Sequence, residues 1–296
     1  MRDDSNLQQD VNSLVGPSHY CATDRRGFLK TAIGTGFAAA VLPVAAQSVI
    51  KTDNIGLTAG EIMVTVNGQQ VPVYRAQPAG KTGLPVVLVI SEIFGVHEHI
   101  ADVARRFAKL GYLALAPDLF VRQGDPASYG TVAEVIREVV SKVPDSQVMT
   151  DLDACVAWAR ANGGNTDKLG ITGFCWGGRI TWLYAAYNPG VKAGVAWYGR
   201  LVGERTGLNP ANPIDIAATL KTPVLGLYGG KDEGIPQASL AQMKAALATG
   251  ANRSEFMVYP NSGHAFHADY RPSYVEADAK DGFSRALAWF RSHGVV

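Results

Sequence analysis

The chain has 296 residues, 27 basic against 26 acidic side chains and a formal charge of +1. Apolar residues make up 47% and charged residues 18%, enough apolar side chain to fill a globular core. The near-neutral balance, with no basic stripe and no long run of like charge, argues against a nucleic-acid binder or a protein drawn to anionic membranes. Three cysteines in this length do not make a disulfide framework.

The first segment reads as an address. Residues 1–24 are polar and lead into Asp24-Arg25-Arg26-Gly27-Phe28-Leu29-Lys30. A mild apolar run follows from Thr31 to Val44, then small residues at Val44-Ala45-Ala46-Gln47. Basic, apolar and small regions in that order form the layout of a signal peptide, and the arginine pair resembles a twin-arginine export signal. The expectation is a cleaved leader over 1–46 that uses the twin-arginine export machinery and delivers a periplasmic protein. The apolar run is too short and too rich in glycine to span a bilayer, which takes about 20 residues.

From residue 47 onward, strand-like and helix-like segments alternate, and one domain over 47–296 is expected. Ile62–Val66 and Val71–Arg75 read as a hairpin with Asn67-Gly68 at the turn. Pro85–Ser91 is a continuous apolar run, suited to a strand buried on both faces. Helix Ile100–Leu110 ends at Gly111, before strand Tyr112–Ala116. Helices are expected over Val132–Val140 and Gln147–Ala161, then strand Leu169–Thr172 and helix Arg179–Tyr187. Strands Val191–Trp197 and Val224–Tyr228, helix Ser239–Ala248, strand Glu255–Tyr259 and helix Tyr274–His293 complete the order. Such alternation implies an α/β fold, a mostly parallel sheet with helices on both faces.

The most informative segment is Gly173-Phe174-Cys175-Trp176-Gly177-Gly178. A strand enters this run and a helix leaves it, the nucleophile-elbow pattern with cysteine in place of serine. The nucleophile sits on a sharp turn where bulky neighbours would clash, and the start of a helix favours an anion. The N–H of Trp176 is placed to donate to an oxyanion. In this architecture an acid and then a histidine follow the nucleophile. Asp232, with Glu233 as a substitute, lies in the loop after strand Val224–Tyr228, and His264 in the loop after Glu255–Tyr259. The loop after Pro85–Ser91 supplies the second donor, assigned to the N–H of Ile93, while Glu92 needs a partner if buried. Tyr198 and Phe266 stand at positions that line a substrate pocket. His97-Glu98-His99 reads as a solvated turn and Cys155 as a core residue. The spacing His264-x-x-His267-x-Asp269 has the look of a metal site, but a triad explains His264 better, and no metal is assigned.

With these residues in place, the chain resembles the dienelactone hydrolase (carboxymethylenebutenolidase) family. The resemblance lies in SEIFGV (Ser91–Val96), APDLFVRQG (Ala116–Gly124), GFCWGG (Gly173–Gly178), YGGKDEGIP (Tyr228–Pro236) and GHAFH (Gly263–His267). It implies an α/β-hydrolase fold, no cofactor, and hydrolysis of a small lactone or ester by a triad of Cys175, His264 and Asp232. It also implies that Glu92 contacts the resting thiol and that Arg122 receives a substrate carboxylate. A second carboxylate-binding arginine of the family falls at Ala268, with Arg271 three residues on. Two other functions fit the same residues: a carboxylesterase or thioesterase acting on an envelope-side substrate, and a non-catalytic exported binding protein.

Overall fold

Asn67 and Gly68 both take positive φ (49° and 80°), the left-handed pair that a two-residue hairpin turn demands. They join β1 (Leu57–Val66) to β2 (Gln69–Pro78), with Val66 opposite Gln69. The computed structural model describes residues 50–296, so the leader expected over 1–46 lies outside the described residues. The remaining strands are β3 (Leu84–Ile90), β4 (Leu113–Pro117), β5 (Gly164–Phe174), β6 (Val191–Trp197), β7 (Val224–Gly229) and β8 (Glu255–Tyr259). The helices are α1 (Glu98–Lys109), α2 (Val132–Glu138), α3 (Asp145–Ala161), α4 (Trp176–Tyr187), α5 (Pro213–Ile216), α6 (Gln237–Ala248) and α7 (Glu276–Ser292).

The strands form one sheet in the order β1-β2-β4-β3-β5-β6-β7-β8. The first two pairings are antiparallel and the other five parallel, the mixed sheet of an α/β-hydrolase fold. The chain moves outward from β3 to β4, then returns to lay β5 on the other side of β3. Strand order therefore reverses at β3, and the loops after β3 and β5 open next to each other, where such sheets place their sites.

Packing explains why the central strands read as unbroken apolar runs. Val86, Val87, Leu88, Val89 and Ile90 are all fully buried between layers. Burying each such side chain is worth about 1.5–3 kcal/mol. Leu169, Ile171 and Phe174 of β5 join the same core. Polar Gly164–Lys168 also belong to β5, although they carry no apolar pattern, because Gly164 and Asn165 pair with Leu84 and Pro85 of β3. Helix α4 starts at Trp176, directly after the cysteine, rather than at Arg179.

Helix α1 departs from the expected solvated start. Glu98, His99, Asp102 and Arg105 are all buried. Arg105 pairs with Glu98, with Asp102 at 3.1 Å and with the Tyr74 hydroxyl at 3.1 Å. Its Nε also donates to the carbonyl of Thr52 at 2.7 Å, strapping residues 50–55 along the helix. The turn reading of His97-Glu98-His99 fails because buried acids and bases are tolerated once paired. No helix among the described residues is long and apolar enough to cross a membrane.

Candidate active site

Cys175 is the N-cap of α4, at φ 55° and ψ −115°, and its residue is 2% exposed. Positive φ is costly for a residue with a Cβ, so the surroundings must impose it. They do so by close approach. A Cβ on Gly173 would lie 2.2 Å from the Gly177 carbonyl oxygen, and one on Gly177 would lie 2.4 Å from the Ile90 carbonyl oxygen. The elbow is thereby pressed against the end of β3. Cys175 N donates to the Trp197 carbonyl at 3.0 Å, while Gly178 N and Arg179 N return to the Cys175 carbonyl at 2.9 and 3.2 Å. Arg179 anchors the first turn by a two-pronged bond to Asp145 at 2.7 and 2.8 Å. Trp176 packs its indole on Phe120, 4.8 Å between ring centres, and as the first helical residue its N–H has no partner within the helix.

His264 follows β8 and Asp232 follows β7, so both come to the same end of the sheet. His264 Nδ1 lies 2.7 Å from Asp232 Oδ2, and both residues are buried. The other oxygen, Oδ1, accepts from the N–H groups of Gly234 and Ile235 at 3.0 and 3.2 Å, which fixes the carboxylate plane. Burial opposes a charged imidazole, but Asp232 and then Cys175 outweigh it and push the His264 pKa up to about 10. Nε2 is buried without a partner at ordinary hydrogen-bond geometry. Glu233, the substitute acid, is exposed in the loop. Tyr198 and Ala265 also take positive φ, 38° and 61°, so three of the four non-glycine residues with positive φ among the described residues flank this site.

Glu92 comes from the loop after β3 and is 1% exposed. Its Oε2 lies 3.0 Å from Nε2 of His97, and its Oε1 has no partner. Burial acts against this carboxyl, yet His97, His99 and Arg271 together hold its pKa below the usual carboxylate range. The Glu92 carboxylate is thus paired with an imidazole. Tyr198 lies edge-on to His264 at 5.0 Å, and its buried hydroxyl has no partner. Burial first, then the charges of Glu92, Tyr270 and Cys175, push its pKa well up. The loop that carries Glu92 lies against the elbow, since a Cβ on Gly177 would also meet the Ser91 carbonyl oxygen at 2.6 Å.

Two expected substrate residues are placed differently. Arg122 binds Asp151 with both terminal nitrogens, at 2.7 and 2.9 Å, and its Nε donates to Gln69. Three of its five N–H donors, one on each nitrogen, are engaged, so it offers no free fork to a carboxylate. Phe266 is fully buried among Trp197, Tyr198 and Tyr259, with ring centres 5.9, 5.4 and 4.9 Å away, and so supports Tyr198 from behind. Ala268 is fully buried, while Arg271 sits over the Phe94 ring at 5.8 Å and acts on the charge of Glu92. The residues of the two metal-like motifs go separate ways: His264 to Asp232, His99 to Asp269 at 2.8 Å, and His267 against Phe174 and Trp197. Cys155 is buried in α3, and burial pushes its thiol up.

Comparison with known proteins fits this geometry. The model of the Dienelactone hydrolase family matches residues 71–294. A Methylorubrum extorquens protein described as "Putative carboxymethylenebutenolidase" is 59% identical over 288 residues, covering 97% of this chain and 98% of that one. An Escherichia coli K12 protein of the same description is 51% identical over 261 residues, covering 88% of this chain and 96% of that one. The crystal structure of a "Putative Dienelactone Hydrolase" from Klebsiella pneumoniae superposes with a TM-score of 0.78 at 54% identity, covering 79% of this chain and 98% of that one. The chain thus belongs to the dienelactone hydrolase family.

Proposed function

We propose that this protein hydrolyses a small lactone or ester through an acyl-enzyme on Cys175. One observation carries the reading: the elbow thiol stands beside an imidazole whose far nitrogen is bound by a buried carboxylate at 2.7 Å. The Cys175 sulfur attacks the carbonyl carbon as thiolate, and the carbonyl electrons move to oxygen. The N–H groups of Trp176 and Ile93 receive that oxyanion. As the C–O bond breaks, the imidazolium of His264 gives its Nε2 proton to the leaving oxygen. His264 then takes a proton from water as the water attacks the thioester. Carboxylic acid and alcohol leave, and the thiolate is restored. Asp232 holds the imidazole in the tautomer that both transfers need.

Relatives described as carboxymethylenebutenolidases suggest a carboxylate-bearing lactone. The engagement of Arg122 by Asp151 favours a second reading, a carboxylesterase for uncharged acyl groups. Steady-state hydrolysis of a nitrophenyl ester, an uncharged unsaturated lactone and its carboxylate-bearing counterpart separates the two by kcat/KM. Either reading expects Cys175→Ala to lose about a thousandfold or more in kcat. Equal turnover in the parent and Cys175→Ala would refute both, and no turnover in either under reducing conditions would leave a binding protein on a hydrolase scaffold. The leader expected over 1–46 supports a periplasmic site for the reaction.

A further inference from the structure

His97 is the N-cap of α1, yet its side chain makes no capping bond. Helix N-caps normally use a side-chain oxygen on the first free N–H groups. Here the loop folds back instead: Gly95, at φ 73°, donates its N–H to the Glu92 carbonyl at 3.3 Å. That turn brings the His97 ring over the carboxylate two residues before the turn glycine's own neighbour, Phe94, and Nε2 meets Glu92 Oε2 at 3.0 Å. Among the described residues His97 is the hydrogen-bonding partner of the Glu92 carboxylate, and its side chain is 24% exposed against 1% for Glu92.

The arrangement has an electrostatic consequence. Glu92 is buried in the loop after β3, and that loop lies against the elbow that carries Cys175: a Cβ on Gly177 would meet the Ser91 carbonyl oxygen at 2.6 Å. A second anion there is penalised, and the penalty grows as burial lowers the local dielectric. The other groups around the pair do less for Glu92. His99 is committed to Asp269 at 2.8 Å, Arg271 lies over Phe94, and Tyr270 presents only its ring edge to His97 at 4.9 Å. Tyr198 holds its proton, and His264 is committed to Asp232.

We propose that His97 is a positioning residue for the nucleophile: it binds Glu92 and balances that carboxylate's charge, so that the Cys175 thiolate can form beside it. The proposal rests on Cys175 being the nucleophile. His97 acts only through Glu92, which makes the two residues a testable pair.

The test is the rate of iodoacetamide alkylation of Cys175 against pH in the full chain, read by mass on the peptide that carries it. Parent, His97→Ala, His97→Gln, Glu92→Gln and the double variant His97→Ala/Glu92→Gln are compared, with thermal melts to establish that each is folded. Removing His97 is expected to move the half-point of the profile up by about one pH unit, a tenfold change in the ionisation equilibrium. His97→Gln keeps a donor but no titrating charge, and moves it the same way. Glu92→Gln moves it down, and the double variant follows Glu92→Gln. A profile unmoved by either His97 substitution, or moved equally with and without Glu92, overturns the proposal. Because alkylation needs no turnover, the result stands apart from the reading of Cys175 as nucleophile, which fails if Cys175→Ala keeps hydrolytic activity.

Discussion

Gly177 shows how a single missing Cβ shapes the chemistry. The space its side chain would take is filled by the backbone oxygens of Ile90 and Ser91, at 2.4 and 2.6 Å. Backbone cannot step aside as a flexible side chain can, so Gly177→Ala must push α4 away from the loop that carries Glu92 and Ile93. The expected cost is about 2 kcal/mol or more. In a chain of this size that lowers the melting temperature by about 4 °C or more. Hydrolysis should fall further than the lost folded fraction, because the N–H groups of Trp176 and Ile93, proposed as oxyanion donors, separate. A melt and a kcat/KM measured well below the transition would show both effects, and an unchanged kcat/KM would contradict the geometry. At this scale the glycines and the order Cys175, Asp232, His264 were legible in the sequence, since the turn and the strand ends demand those residue types. The partners of the charged residues were not. Asp151 lies in a helix legible only by its apolar spacing, so nothing in the sequence couples it to Arg122. The His97 pairing with Glu92 depends on a turn at Gly95, a three-dimensional fact with no spacing rule. The one local hint was Glu92 itself, an acid at the end of an apolar strand that had to find a partner.

Among the elements, strands and helices with strong periodicity were legible to within a few residues. The misses share a cause, which is that tertiary pairing extended an element past its apolar pattern. β1 reaches back to Leu57 because Leu57–Gly60 pair with Arg75–Pro78. β5 begins at Gly164 because β3 offers it a partner. α1 begins at Glu98 because Arg105, one face below, receives that carboxylate inside the protein. The same helix carries Asp102 and Arg106, and Arg106 reaches Asp269 at 3.2 Å. Asp269 also binds His99 and the N–H of Ile50. Burial disfavours that charged carboxylate, but His99, Arg106 and Ile50 outweigh it and draw its pKa down to about 2. One acid thus ties the loop after His264, helix α1 and the strap at residue 50 together. The sequence offered His264-x-x-His267-x-Asp269 only as a metal-like spacing, because the true partners of Asp269 come from segments more than 160 residues away.

For the whole molecule, the sheet decides where the chemistry sits. The reversal of strand order at β3 puts the loop that carries Glu92 and Ile93 and the elbow side by side, and the last two parallel strands deliver Asp232 and His264 to the same end. That much follows from an alternating α/β pattern, and the family match over residues 71–294 agrees with it. The proposed leader belongs to the same scale, since a twin-arginine signal would set where the folded site works. Replacing Arg25 and Arg26 by lysine should abolish export of the full chain and leave the precursor in the cytoplasm, as read by cell fractionation with an immunoblot. Unimpaired export of that variant would remove the twin-arginine assignment. The central claim, that carbonyl chemistry passes through Cys175, is tested most directly by acid-quenching the enzyme during turnover of a nitrophenyl ester and weighing its peptides. The account predicts an acyl group, labile to hydroxylamine, on the peptide that contains Cys175. Turnover with that peptide unmodified, or with the acyl group on another residue, would contradict it.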